Sequence, residues 1–214
     1  EALDEIFFNN NDEFVNDELI NFVKLILLSD KKNKYLSKNN YNFNRIDLIH
    51  HILPNSTFLI PIREPIHHAY SLLNQHLHFC KLQKKNDFIR RYMNYLGHHE
   101  FGLDHKPWNV PVKFDDLNDI NYWLEQWCLF YKNILNKYLL YDNCLFIVYE
   151  ELNKKEYLKL ILEKLNFNQI KNLNLSFFKN SNKKDIEINH SNDIYKNAKD
   201  IYIDFRNKSI YNKL

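Results

Sequence analysis

Arg63 and Ser71 are the pair of residues in this chain whose types and spacing suit a definite chemistry. Arg63 closes a β-branched and aromatic run and precedes Glu64-Pro65, where a helix opens; Ser71 follows eight residues later on that helix. A guanidinium offers paired, charge-assisted donors and a serine hydroxyl adds one more, so the two can converge on a single phosphate. Ligands gather at such strand-to-helix turns of parallel sheets, because helix N-termini present backbone donors and the positive end of a dipole. The same spacing also fits a structural ion pair at Arg63 and a solvent-facing Ser71. Histidines are clustered at His50-His51, His67-His68, His76 with His78, and His98-His99 with Glu100 and His105. Adjacent histidines point to different faces of a helix, and no two stand at the i, i+4 spacing that sets ligands side by side, so no metal is expected. Cys80, Cys128 and Cys144, an odd number without a close pair, read as small buried hydrophobes in a reducing compartment.

The elements that must hold Arg63 and Ser71 are readable around them. Thr57–Ile62 is a strand whose continuous apolar run suits burial on both faces of a parallel sheet. Pro65 sits where a first-turn proline is tolerated, and Ile66, Ala69, Tyr70, Leu72, Leu73 and Leu77 continue at helical spacing. Helices are expected over residues 12–28, 45–53, 87–96, 119–140 (the longest), 154–165 and 193–205; Cys144–Tyr149 reads as a second buried strand, and residues 34–38 as a possible short one. Alternating strands and helices imply right-handed crossovers and a parallel sheet. With 214 residues the chain has the size of one domain. It has only two glycines, Gly97 and Gly102, which excludes a Gly-rich Walker or dinucleotide loop. The net charge is +2, with Lys and Arg scattered among Asp and Glu, which argues against a nucleic-acid surface. The longest apolar run, Phe22–Leu28, is broken by Lys24 and far too short to span a membrane, and the start of the chain does not resemble a signal peptide. A cytoplasmic protein without nucleic-acid or membrane partners is the expectation.

Several short motifs occur in a telling order: Lys38-Asn39-Asn40, Pro54-Asn55-Ser56, Phe58-Leu59-Ile60, Arg63-Glu64-Pro65, Ser71-Leu72-Leu73 and Phe146-Ile147-Val148-Tyr149-Glu150-Glu151-Leu152. Over roughly Lys34 to Leu165 the chain resembles the sulfotransferase superfamily, nearest to its tyrosylprotein branch. In that family a strand-terminal Arg and a Ser eight positions on hold the 3'-phosphate of the sulfuryl donor PAPS (3'-phosphoadenosine 5'-phosphosulfate), which implies that role for Arg63 and Ser71. The tyrosylprotein branch places a catalytic Lys sixteen residues before the Pro of its Pro-Asn-Ser element, and Lys38 and Pro54 reproduce the interval. Tyr149 resembles the tyrosine that touches the nucleotide. Two features depart from the pattern. The family's Ser/Gly/Thr-rich 5'-phosphosulfate loop and the carboxylate base shortly after it have no counterpart, and the basic residue four positions after the Ser is Gln75 here. The first departure leads to the expectation of a chain truncated ahead of Glu1; the second weakens any transfer of protein-tyrosine specificity.

The resemblance implies an α/β, three-layer P-loop-NTPase-like sulfotransferase fold with a mainly parallel central sheet flanked by helices, as a single domain over residues 1–214 lacking the first strand and phosphate loop. The implied reaction moves a sulfuryl group from PAPS to a hydroxyl or amine of a small-molecule or glycan acceptor, with Lys38 as catalytic residue, Arg63, Ser71 and Tyr149 binding the donor, PAP as product and no metal. The rival reading is a degenerate, non-catalytic nucleotide-binding or interaction module on the same fold. A kinase-like transferase is disfavoured because no paired acidic metal site is seen. The Gly97–Trp108 segment, with its glycines, histidines and aromatics, is a candidate acceptor loop, as alternatively a packed connection; Lys183 and Lys184 are candidates for contact with the donor's adenine end.

Overall fold

Two short strands organise the part of the chain that carries the motifs. In the computed structural model, which describes residues 13–29, 31–108, 113–167 and 190–210, β1 (Phe58–Ile62) and β2 (Cys144–Val148) pair in parallel, with Phe58 opposite Cys144 and Ile62 opposite Val148. Parallel pairing brings both carboxyl ends to one edge. The described residues divide into two compact units, one of residues 1–56 with 91–98 and one of residues 57–90 with 99–214.

The first unit holds α1 (Glu13–Ser29), a 3₁₀ turn at Asn40–Asn44 and α2 (Ile46–Ile52). The α2 helix stops two residues before Pro54, as the steric demands of proline require. Residues 34–38 are irregular and not the short strand expected: every residue from Lys31 to Lys38 is exposed, so this stretch gains nothing from packing that would offset the cost of ordering it.

In the second unit β1 leads into α3 (Pro65–Lys85), followed by α4 (Asp87–Tyr95), which continues into the first unit, then α5 (Ile120–Tyr138), β2, a 3₁₀ turn at Tyr149–Glu151, α6 (Lys155–Lys164) and α7 (Asn192–Lys208). At 21 residues α3, and not the 19-residue α5, is the longest helix described. Polar residues such as Asn74, Gln75 and His78 interrupt its apolar stripe, but nothing between Pro65 and Lys85 breaks a helix.

The two strands differ in burial. Side chains alternate across β2, so Phe146 meets Phe205 of α7 at 4.7 Å between rings while Ile147 joins a cluster with Tyr157 and Ile161 of α6. Both faces of β2 are therefore covered, as its continuous apolar run implied. β1 instead buries Ile60 and Ile62 and exposes Leu59 and Pro61, which corrects the expectation of burial on both faces. Pro61 has no N–H to donate to a further strand, which suits a strand paired along one edge among the described residues. The architecture is mixed α/β, with helices around a two-stranded parallel sheet among the described residues. None of the described helices is long and apolar enough to cross a membrane.

Candidate functional site

At the carboxyl edge of the sheet, Arg63 follows β1 directly and Tyr149 follows β2. The Arg63 guanidinium lies 5.5 Å from the centroid of the Tyr149 ring, a cation–π stack between residues far apart in the sequence. Tyr149 is 43% exposed and Arg63 half-buried, so this pair is reachable from solvent. Among the described residues no carboxylate pairs with Arg63. Ser71 is exposed, two turns into α3. Lys38 is also exposed, in the irregular segment of the first unit. Lys183 and Lys184 lie outside the described residues.

The carboxylates beside Arg63 are spoken for. Glu64 is the N-cap of α3: its Oε2 accepts from the backbone N–H of His67 at 3.0 Å and lies 2.8 Å from His67 Nδ1. Its Oε1 accepts from Lys199 Nζ at 2.7 Å. Glu150 accepts from the Glu64 backbone N–H at 2.8 Å and from the Tyr202 hydroxyl at 2.8 Å, and Glu151 from Arg206 at 3.1 Å. Lys199, Tyr202 and Arg206 form one polar face of α7 at helical spacing, and that face meets the sheet edge. Burial raises the Glu64 carboxyl, but the bonds from Lys199 and His67 outweigh it and hold it below the usual carboxylate range. The outcome qualifies one expectation: the start of α3 offers fewer backbone donors to a ligand, because the Glu64 side chain already accepts from the His67 N–H. Among the described residues Arg63 is a cation at this edge that no carboxylate pairs.

His68 lies one turn into α3, its ring 6.3 Å from that of Tyr131, and its buried Nδ1 has no hydrogen-bond partner. Burial, then the charge of Arg63, pushes it down to about 4. Because the folded state resists protonation here, the unfolded state binds more protons between about pH 6.5 and pH 4. The stability is fully present above pH 6.5 and lost as pH falls toward 4, by about 3 kcal/mol from this group. Urea unfolding at pH 7 and pH 4.5 should therefore show a markedly smaller acid loss for His68→Leu than for the natural chain; equal losses would clear His68 of this role.

In the second-unit part of the Gly97–Trp108 segment, residues 99–108, Trp108 meets Phe130 of α5 at 5.2 Å. Gly102, Leu103 and His105 pack against α3 from His76 onward, which begins about 18 Å along the helix from Glu64 at ~1.5 Å per residue. Gly102 N–H donates to His76 Nδ1 at 3.3 Å, so the neutral ring carries its proton on Nε2, 3.4 Å from Cys80 Sγ. His105 donates from Nδ1 to the Glu100 carbonyl at 2.7 Å and accepts at Nε2 from the Tyr122 hydroxyl at 2.6 Å. Burial lowers both His76 and His105, and these histidines are packed groups of the core. Phe101 stacks between Phe79 and Trp123 at 6.4 and 5.7 Å. The packed-connection reading fits this segment. Cys128 and Cys144 are buried as expected, but Cys80 is only half-buried and borders a cleft, which corrects its reading as a core residue. Among the described residues no group of three or more His, Cys, Asp or Glu is placed to hold a metal ion.

Sequence reasoning brought Arg63, Ser71 and Tyr149 forward but missed Glu64, Glu150, Lys199 and Tyr202. Glu64 directly before a first-turn proline carried a capping signal. The partners on α7 carried none, since charges at helical spacing are usually a solvated face. No family model, no curated protein and no solved structure matches this chain.

Proposed function

We propose that the chain is a PAPS-dependent sulfotransferase domain of the three-layer, P-loop-NTPase-like fold, transferring a sulfuryl group to a hydroxyl or amine of a small-molecule or glycan acceptor. The observation that carries this reading is the meeting of Arg63 and Tyr149 at the carboxyl edge of two parallel strands, with the guanidinium uncommitted among the described residues. These are two of the three residues that the motifs assign to the donor, and they come together although 86 positions separate them in the sequence.

In the proposed reaction the acceptor oxygen or nitrogen attacks sulfur in line, a bond to sulfur forms, and the bond between sulfur and the bridging oxygen of the 5'-phosphate breaks. PAP leaves with the electron pair, and the acceptor proton passes to a base. Arg63 holds the 3'-phosphate by paired charge-assisted hydrogen bonds, Ser71 adds a hydroxyl, and Tyr149 keeps the guanidinium oriented. Lys38 supplies positive charge to the bridging oxygen as negative charge develops there, a transition-state interaction and not an anchoring one. The mutual satisfaction of Glu64, Lys199, Glu150 and Tyr202 fits the reading, since it keeps carboxylates from neutralising Arg63 or repelling the nucleotide.

Transfer of labelled sulfate from PAPS to acceptors in a mixed extract tests the reaction. Lys38→Ala should lower turnover by roughly 100-fold or more while leaving 3',5'-ADP affinity within a few-fold of its natural value. Natural turnover in that variant excludes Lys38. Nucleotide binding with no transfer to any acceptor supports the non-catalytic alternative.

A further inference from the structure

The cleft beside Cys80 lies along the far half of α3, away from Arg63 and bordered by the loop that Gly102 and Leu103 press onto the helix. Its volume is about 600 Å³, within the range of sites that hold small organic ligands. Leu77, Leu103 and Leu117 give it apolar walls, and Lys81, Lys84 and Lys85 stand at its border with no acidic residue in the lining among the described residues. We propose that this cleft binds an organic anion, a molecule with a compact apolar body and a sulfate, phosphate or carboxylate head.

The helix end explains only part of this arrangement. Cations in a last turn interact well with the negative end of the helix dipole, which accounts for Lys84 and Lys85. It does not account for Lys81, which stands three and four positions before the other two, where like charges on a helix repel. Among the described residues none of the three is paired with a carboxylate, so the repulsion is unrelieved by the protein itself. An anionic head between them relieves it, while leucine side chains take the apolar body out of water.

The walls are built before any ligand arrives. Gly102 has φ of 95°, a left-handed conformation suited to glycine, and a side-chain carbon there would come within 2.4 Å of Gln83 Oε1. Gln83 Oε1 accepts from the Leu103 backbone N–H at 2.6 Å, and Arg90 grips Asp104 with two bonds of 2.7 and 2.6 Å. The loop is thus tied to α3 and to the start of α4, which holds Leu103 as a fixed wall. Cys80 lines the same cleft, and Cys128 and Cys144 are buried, so alkylation of Cys80 reports on occupancy.

The test uses the full chain, 2-naphthyl sulfate as the anion and 2-naphthol as its uncharged counterpart. At mildly alkaline pH the Cys80 thiolate displaces iodide from iodoacetamide, forming a carbon–sulfur bond that mass spectrometry locates. 2-Naphthyl sulfate should slow this labelling saturably, and 2-naphthol should need at least about tenfold higher concentration for the same protection. The double substitution Lys81→Gln with Lys84→Gln should raise the half-protecting concentration of the sulfate about tenfold, with the circular dichroism spectrum unchanged. No saturable protection in the natural chain overturns the site, and so does equal protection by the two naphthalenes, which would reveal an uncharged apolar crevice. An unchanged half-protecting concentration in the double variant overturns the assignment of the head to these lysines. Because the readout is labelling at Cys80, it does not depend on sulfuryl transfer.

Discussion

Arg63→Ala should weaken binding of 3',5'-ADP by about 2–4 kcal/mol, roughly 30- to 900-fold, as expected for an arginine that pairs a phosphate. Three observations set the size of the effect. The guanidinium is stacked on Tyr149 and so is held in place before the nucleotide arrives, which reduces the entropy lost on binding. Glu64 caps the N-terminus of α3, so the positive end of the helix is already met by a carboxylate and is poorly placed to compensate for the missing cation. The neighbouring carboxylates are bonded to Lys199, Tyr202 and Arg206, so Arg63 is not neutralised locally. Stability should change little, by about 1 kcal/mol or less, because the residue contributes a stack and not an ion pair. The same substitution removes a charge that depresses His68, and the acid loss of stability should shrink with it. Calorimetric titration of the folded variant decides the matter: an unchanged affinity removes Arg63 from any nucleotide site.

Phe205→Ala should destabilise the chain by about 3–5 kcal/mol, the usual cost of emptying a fully buried aromatic site. Phe205 has no exposed surface, and its ring stands edge-on to Phe146 of β2 at 4.7 Å and to Tyr131 of α5 at 5.9 Å. It therefore joins the last helix, the sheet and α5. Tyr131 is itself fixed by donating its hydroxyl to the Pro61 carbonyl at 2.9 Å, so the surroundings are poorly placed to collapse into the cavity. On the same helix, Lys199, Tyr202 and Arg206 hold Glu64, Glu150 and Glu151 at the sheet edge. Loosening α7 releases those carboxylates toward Arg63, so the variant that remains folded should also bind 3',5'-ADP more weakly. Urea unfolding at neutral pH measures the first effect; a loss below about 1 kcal/mol would mean that Phe205 does not tie these elements together.

Local signals served well wherever a residue's fate depends on its near neighbours. The start of α3 followed from Pro65 and the spacing of Ile66, Ala69 and Leu73, and β2 followed from a run too apolar to be anything but covered. The same logic misjudged β1, whose composition resembles that of β2 but whose Leu59 and Pro61 face outward. It also misread residues 34–38, since strand propensity acts only where a partner strand or a core is present. For Cys80, spacing could not reveal that a loop from residues 99–108 would stop short of covering it.

Taken alone, the order of residue types determined that a strand ends at Arg63, that a helix begins at Pro65, and that Tyr149 follows a second buried strand. These outcomes depend on backbone sterics and hydrophobic periodicity within a few residues, which the chain carries everywhere along its length. That Arg63 and Tyr149 stack, that the Glu64 backbone N–H donates to the carboxylate of Glu150, 86 positions away, and that Lys199 and Tyr202 of α7 bond these two carboxylates was decided only by the tertiary structure. Parallel pairing of β1 with β2 is what brings those positions to one edge. Such pairing draws its free energy from burying many apolar side chains at once, so no short stretch of sequence specifies it.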